Sequence, residues 1–329
     1  SVGLLKIGNY DEIKTKIDSA MKAGADTDVG HEYKKEVQLR YTEAARHTVT
    51  TGWDVIDDLM DGGLAPGELG VVMAPAGIGK SWMLINIGAN AIRQNKTVIH
   101  YTLELNENYV GQRYDSVITG IAAQNLKNYT EDIEEKLKNI SGELIIKYYP
   151  TKSVGVMGIK AHVEKTIMLG NKPDLIVVDY ADLLKVSSKD KHEALEELYE
   201  DLRGMAGEYG VPVWTATQAN RSALEDDIIE ADKIASSYGK VMVSDFLMSL
   251  SRKVEDKLSG TGRGHVIKNR FGPDGITLPS KINTNNGQFN FFEPQTTQGR
   301  QTTQTMKTGE TLVKKNLAQK FKDLGGSLG

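Results

Sequence analysis

With 329 residues, 39% of them hydrophobic, the chain is long enough for one large domain with appendages or for two domains, and it can bury a sizeable core. Its 40 Lys and Arg against 44 Asp and Glu leave a net charge of −4, which excludes a global basic field, so any nucleic-acid contact must come from local patches. The absence of cysteine excludes a disulfide framework and a thiolate metal site and fits a cytoplasmic protein, and no run of about 18 apolar residues marks a transmembrane helix.

The start, Ser1-Val2-Gly3, has neither an initiator Met nor the regions of a signal peptide, so a truncated or processed chain is expected. Residues 9–23 read as a short amphipathic helix. Asn9 with Glu12 resembles a capping box, and Ile13, Ile17 and Met21 share one face. A polar linker, Gly24 to Gly30, follows, and then a charged, helix-like stretch from His31 to Arg46. So short a helix is marginal alone and is expected to dock, either on its own domain or on a neighbour. The segment 1–47 is therefore set apart as an N-terminal arm.

Thr48 to Leu64 forms an entry segment with Val55, Ile56, Leu59 and Met60 at helical spacing. Next comes the most informative stretch, Ala74-Pro75-Ala76-Gly77-Ile78-Gly79-Lys80-Ser81, between an apolar strand pattern (Leu69 to Met73) and a helix pattern (Trp82 to Ala89). Strand, glycine loop, Gly-Lys-Ser and helix together form a phosphate-binding P-loop arrangement. Gly77 and Gly79 let successive N–H groups face one anion, and the helix N-terminus adds its positive end. Lys80 can neutralise outer phosphates, and the Ser81 hydroxyl can hold Mg²⁺. The usual first glycine of the loop is Ala74 here.

Strand and helix patterns then alternate. Strands are predicted at Thr97–Leu103, Glu143–Tyr149, Leu175–Asp179 and Val213–Thr217, and helices at Asn108–Gly120, Val154–Leu169 and His192–Tyr209. This order predicts an α/β fold with a mostly parallel sheet covered on both faces. Later strand patterns at Phe246–Ser251, Gly264–Arg270, Gly275–Ile282 and Gln288–Phe292, joined by Gly-rich turns, predict antiparallel strands extending one edge. One large unit runs from 48 to 294. From 295 to 329 the Thr/Gln-rich composition predicts a flexible tail, with one short helix over Leu312 to Leu324.

Strand ends supply the remaining candidates, because ligands of open parallel sheets lie at the carboxyl ends. Asp179 ends an apolar strand and can partner Mg²⁺; nearby Asp182 reads as merely solvated. Glu104 ends the strand from Thr97 and can take a proton from water; Glu107 is its rival, set in a polar loop. Gln218 ends a third strand and can hydrogen-bond a terminal phosphate, though a lone glutamine says little. Lys268 and Arg270 share a strand face, where two cations call for an anion. They face either solvent or the phosphate of a neighbouring subunit.

Together the P-loop, Thr102-Leu103-Glu104-Leu105, Ile176-Val177-Val178-Asp179-Tyr180, Thr217-Gln218-Ala219-Asn220-Arg221-Ser222 and Lys268-Asn269-Arg270-Phe271-Gly272-Pro273 resemble the motor domain of DnaB-like replicative helicases, tailed-phage ones above all. The resemblance runs from about Thr51 to Phe292. It implies a RecA-like P-loop fold, a hexameric homo-oligomeric ring with ATP sites between subunits, and ATP and Mg²⁺ as cofactors. It further implies translocation on single-stranded DNA, with primase and a helicase loader as partners and the host cytoplasm as the place of action.

Residue by residue, the resemblance makes Glu104 the catalytic glutamate, Gln218 the phosphate sensor and Arg270 the arginine finger, with Lys268 beside it in the adjacent subunit's ATP site. It places Ala76, Gly77, Ile78, Gly79, Lys80, Ser81 and Trp82 against the nucleotide, and Ser81 with Asp179 at the metal. It makes residues 9–23 the family's linker helix and matches the segment Ile229 to Lys240 to DNA-facing loops, with Lys233, Ser236, Ser237, Gly239 and Lys240 as contacts. A solvated loop is the plain alternative there. Asp182 stands where many relatives have glutamine, and the family's N-terminal domain has no counterpart in this sequence. Two rival functions share the P-loop: a RecA-type recombination or repair ATPase forming filaments on DNA, and a nucleotide-gated assembly protein without motor activity.

Overall fold

The structure is a computed structural model, and it describes residues 32–38, 46–186, 190–235 and 239–325. The chain divides into two compact units, Ser1–Arg46 and His47–Gly329. In the first, a turn at 33–35 carries a Glu32–Lys35 ion pair. The helix expected at 9–23, its linker and most of 31–46 lie outside the described residues.

The second unit holds a nine-stranded sheet. Its strands are β1 (Leu69–Ala74), β2 (Thr97–Thr102), β3 (Glu143–Tyr148), β4 (Leu175–Asp179), β5 (Val213–Gln218), β6 (Phe246–Ser251), β7 (Thr261–Asn269), β8 (Thr277–Asn283) and β9 (Gln288–Phe291). The spatial order is β3-β2-β4-β5-β1-β6-β7-β8-β9. Strands β3 through β6 in that order pair in parallel, and β7, β8 and β9 add antiparallel at one edge. The expected mostly parallel sheet with an antiparallel extension is thus present.

The central strands are buried almost end to end because both their faces are covered. Successive residues feed opposite cores: Val72 and Ala74 of β1 enter one, Leu69, Val71 and Met73 the other. The first core receives α1 (Asp54–Leu59), α2 (Lys80–Arg93) and α3 (Glu107–Thr119); the second receives α5 (Val156–Met168) and α6 (Lys191–Tyr209). Between them in the chain, α4 (Thr130–Lys138) buries only Ile133. Two short helices follow, α7 (Gly239–Val243) and α8 (Val254–Ser259).

The Thr/Gln-rich tail departs from expectation. Residues Thr297–Gly325 form one helix, α9, rather than a connector with a short terminal helix. Composition misleads here because the polar side chains are spent on the helix itself. The Thr296 hydroxyl caps the N-terminus by accepting from Gly299 N at 3.1 Å. Thr302, Thr303, Thr305, Thr308 and Thr311 each return their hydroxyl to the carbonyl four residues back. Met306 and Thr302 are buried, and the helix packs on α8, β7 and β8. No helix among the described residues is long and apolar enough to cross a membrane.

Candidate active site

β1 ends inside the core at Ala74, and the chain must reverse before α2 begins at Lys80. Gly77 (φ 76°) and Gly79 (φ 121°) make that reversal in backbone conformations that side chains disfavour. A Cβ on Gly79 would also come within 3.0 Å of the Phe289 ring. Lys80 folds back over the loop, its Nζ donating to Ala74 O at 3.1 Å and to Pro75 O at 3.5 Å. Burial holds its ammonium below the usual lysine range, while Asp179, Glu104 and Asp182 pull it back up. The cation is thus desolvated within a field of three carboxylates.

Sheet order brings the other groups to it. β4 lies between β2 and β5, and β5 beside β1, so four strand ends open on one crevice. Asp179, the last residue of β4, accepts from the Ser81 hydroxyl at 3.1 Å. It is 5% exposed, and burial pushes its carboxyl up to about 6 against the lowering effect of that hydrogen bond. Leu103 N donates to Asp179 O at 3.0 Å, which seats Glu104 near the Asp179 carboxylate. Gln218 pairs with Ala74 in the β1–β5 register.

A cavity of ≈ 310 Å³ is lined by Ala76, Gly77, Gly79, Lys80, Ser81 and Trp82 together with Glu104, Gln218, Tyr180 and Arg113, whereas the Ile78 side chain is buried in the core. Lys80, Ser81, Glu104 and Gln218 surround one space, with Asp179 behind Ser81. Glu107 turns away: its Oε1 accepts from Tyr148 N at 3.0 Å, and that bond is the main reason its carboxyl stays below the usual range. Arg113, on α3, was not singled out from the sequence. Its guanidinium lies 4.9 Å from the centre of the Trp82 ring, on a helix that β2 feeds directly. The helix was legible, but the face it turns to the crevice is set by packing.

The model of the DnaB-like helicase C-terminal domain matches residues 48–233, a stretch that contains the P-loop and the strand ends carrying Glu104, Asp179 and Gln218. The chain belongs to this family. The DnaB-like replicative helicase of Enterobacteria phage T4 is 25% identical over 284 residues, covering 81% of this chain and 60% of that protein. The replicative DNA helicase DnaB of Mycoplasma genitalium is 24% identical, over 66% of this chain and 51% of that protein. The chain therefore spans between half and two thirds of the length of these two relatives. Among solved structures, an ATPase domain superposes with a TM-score of 0.68 at 19% identity, over 81% of this chain and all of that one. A DnaB-like replicative helicase described with its primase interactions gives 0.66 at 19%, over 86% and 72%. Both show the same RecA-like fold.

Against that DnaB-like frame, the segment after β5 needs correction. Asp182 is not solvated: its oxygens accept from Tyr199 Oη (3.0 Å), Thr217 Oγ1 (3.0 Å), Gln218 N (3.4 Å) and Lys240 Nζ (2.8 Å). Lys240, expected at DNA, is fully buried, and its ammonium also donates to Thr217 Oγ1 and Ala235 O. Gly239 is buried too, where a Cβ would collide with Glu196. Lys233 stays partly exposed and pairs with Asp226 at 3.3 Å. Ser236 and Ser237 lie outside the described residues.

Lys268 and Arg270 do not line the cavity. β7 is separated from β1 by β6. The anion that the sequence pattern asked for is internal: Arg270 Nη1 meets Asp245 Oδ1 at 2.6 Å, and Lys268 Nζ donates to Val241 O and Met242 O at the end of α7. Neither Asp245 nor its second partner, Arg203, stood out in the sequence.

Proposed function

We propose that this chain is the ATP-driven motor of a ring-forming, hexameric replicative DNA helicase that translocates on single-stranded DNA and unwinds duplex ahead of it. The observation that carries the reading is the Ser81–Asp179 pair at one wall of a cavity whose other walls present Lys80, Glu104 and Gln218. A hydroxyl and a carboxylate are the hard oxygen donors that suit Mg²⁺ alongside phosphate oxygens. Bound there, Mg²⁺ would supply charge neutralisation to the phosphates.

This chain's own groups do the rest. The N–H groups around Gly77 and Gly79 and the start of α2 hold the phosphates of ATP, and Lys80 neutralises them. Glu104 orients the attacking water and accepts its proton. Gln218 hydrogen-bonds the terminal phosphate. Its neighbour Ala219 bridges to Ile234, and Ala235 N donates to Gln218 O at 2.9 Å, so movement at the phosphate reaches the segment that carries Lys233. Arg270 completes the site of an adjacent subunit, which fits its position outside its own cavity. Primase and a helicase loader are the further partners in this reading, and the host cytoplasm the place of action.

The test is ATP hydrolysis by the full chain with and without single-stranded DNA, with mass by light scattering. Stimulation by DNA in closed rings is the expected result. Filaments in electron micrographs, or hydrolysis indifferent to DNA, would replace this reading with a recombination ATPase or an assembly protein respectively.

A further inference from the structure

Asp245 lies between α7 and β6, where three distant parts of the chain meet. Its N–H donates to Leu69 O at 2.9 Å, and Leu69 N donates back to its Oδ2 at 2.9 Å, at the root of the P-loop strand. Its carbonyl accepts from Arg270 N at 2.9 Å. Its side chain is 1% exposed and receives two guanidinium groups.

The two arginines hold it differently. Arg203, from α6, grips both oxygens as a fork, Nε to Oδ2 at 3.0 Å and Nη2 to Oδ1 at 3.0 Å. Arg270 makes one side-chain bond, and its side chain is 51% exposed. A bidentate arginine–carboxylate pair is geometrically fixed, whereas a single bond from a half-exposed side chain exchanges readily with another anion. If Arg270 lets go, Asp245 keeps three donors: both arms of Arg203 and Leu69 N. The backbone of Arg270 stays anchored on Asp245 O, so only its side chain swings.

We infer that Arg203 is a positioning residue that neutralises Asp245 in place of Arg270, leaving the Arg270 guanidinium free to meet the terminal phosphates of a nucleoside triphosphate held by a second copy of the chain. The inference rests on the reading that Arg270 acts in trans. Without Arg203, Arg270 is the single side-chain cation bonded to a buried carboxylate, and withdrawing it strands that charge at high cost. The surroundings point the same way. Arg203, Arg270 and Glu200 line one cleft of ≈ 320 Å³ that opens to solvent. Arg270 and Arg203 both help to hold the neighbouring Lys268 ammonium below its usual range, after burial.

The experiment is a double-mutant cycle on assembled full-length chains, with mass checked by light scattering. Arg203→Met is expected to lower kcat roughly tenfold or more while the KM for ATP stays within about threefold, because binding in the chain's own P-loop is untouched. In an Asp245→Asn background there is no buried charge to trap Arg270, so the same substitution is expected to cost less than about threefold. Arg203→Lys, which restores a cation without the fork, falls between. A purely structural role for Arg203 predicts equal or greater damage in the Asp245→Asn background, and that result overturns the inference, as does full turnover by Arg203→Met. If Arg270→Ala itself turns over normally, the trans reading fails and the inference with it. An inactive Arg270→Ala beside a normal Arg203→Met overturns the inference alone.

Discussion

Lys240 turns its ammonium inward, 2.8 Å from a carboxylate oxygen of Asp182, directly behind the strand end that carries Gln218. Both charges are out of bulk water: the lysine side chain is 0% and the aspartate 15% exposed. Removing one member leaves an uncompensated buried charge, which costs about 3–5 kcal/mol. Lys240→Ala should therefore lower the urea midpoint strongly, while Lys240→Met combined with Asp182→Asn should recover most of the loss. Equal damage from the single and double variants would show that the pair does not act as a unit.

With Lys240 buried, Lys233 carries the DNA proposal for this segment. If it contacts a phosphate, Lys233→Ala should flatten the salt dependence of single-strand binding by about one unit of slope. Hydrolysis without DNA should survive. An unchanged slope, measured from about 50 to 200 mM salt, removes the residue from the DNA contacts.

Glu104 faces the cavity, whereas Glu107 is spent on the backbone of Tyr148. Glu104→Gln keeps shape and hydrogen bonding but loses basicity. Nucleotide should bind nearly as well, with the hydrolysis rate down on the order of 10²-fold or more. Glu107→Gln should leave the rate nearly intact. The reverse pattern in single-turnover assays would exchange their roles.

Lys80 lies on the P-loop, and Arg270 lies outside that cavity. Lys80→Ala should abolish hydrolysis and weaken nucleotide binding, whereas Arg270→Ala should bind nucleotide and assemble but hydrolyse very slowly. A finger supplied in trans is worth about 10³–10⁵ in rate where it has been measured. Mixed rings bring the intact P-loop of Arg270→Ala subunits against the intact Arg270 of Lys80→Ala subunits. Activity should then exceed the sum of the separate variants. Strict additivity in rings proven to be mixed argues for a role within one subunit.

His100, in the middle of β2, gives a pH dependence of stability. It is fully buried beside Tyr114, with Nδ1 2.9 Å from the hydroxyl, and burial depresses its pKa to about 3. Between that value and the ordinary 6.5, the unfolded chain binds a proton that the folded chain refuses. Stability is therefore full above about pH 6.5 and falls as pH drops, by at most about 1.4 kcal/mol per pH unit from this one group. His100→Gln removes the proton site, so its stability curve should be flatter than the parent's through that window. Parallel curves in denaturant titrations would assign the acid limb to other groups.

Local sequence determined much of this protein. The P-loop was legible because one short stretch contains its whole geometry: apolar strand, two glycines, Lys80, Ser81 and a helix. Strand positions were legible because buried parallel strands are continuous apolar runs, and Glu104, Asp179 and Gln218 could be placed at strand ends from one dimension alone. What lay beyond reach depended on which side chains meet across the fold. Lys240 is a loop lysine in sequence, and only the approach of α7 to Asp182 and Thr217 turns it into a buried cation. Arg270 seemed to lack an anion until β6 brought Asp245 to it, 25 residues away, and α6 brought Arg203. The Thr/Gln tail read as a connector because composition reports average polarity. The Thr296 cap and the cover of α8, β7 and β8 over Thr302 and Met306 decide that it is helix. Burial and pairing are properties of neighbours in space, so charge partners tens of residues apart were decided by tertiary structure alone.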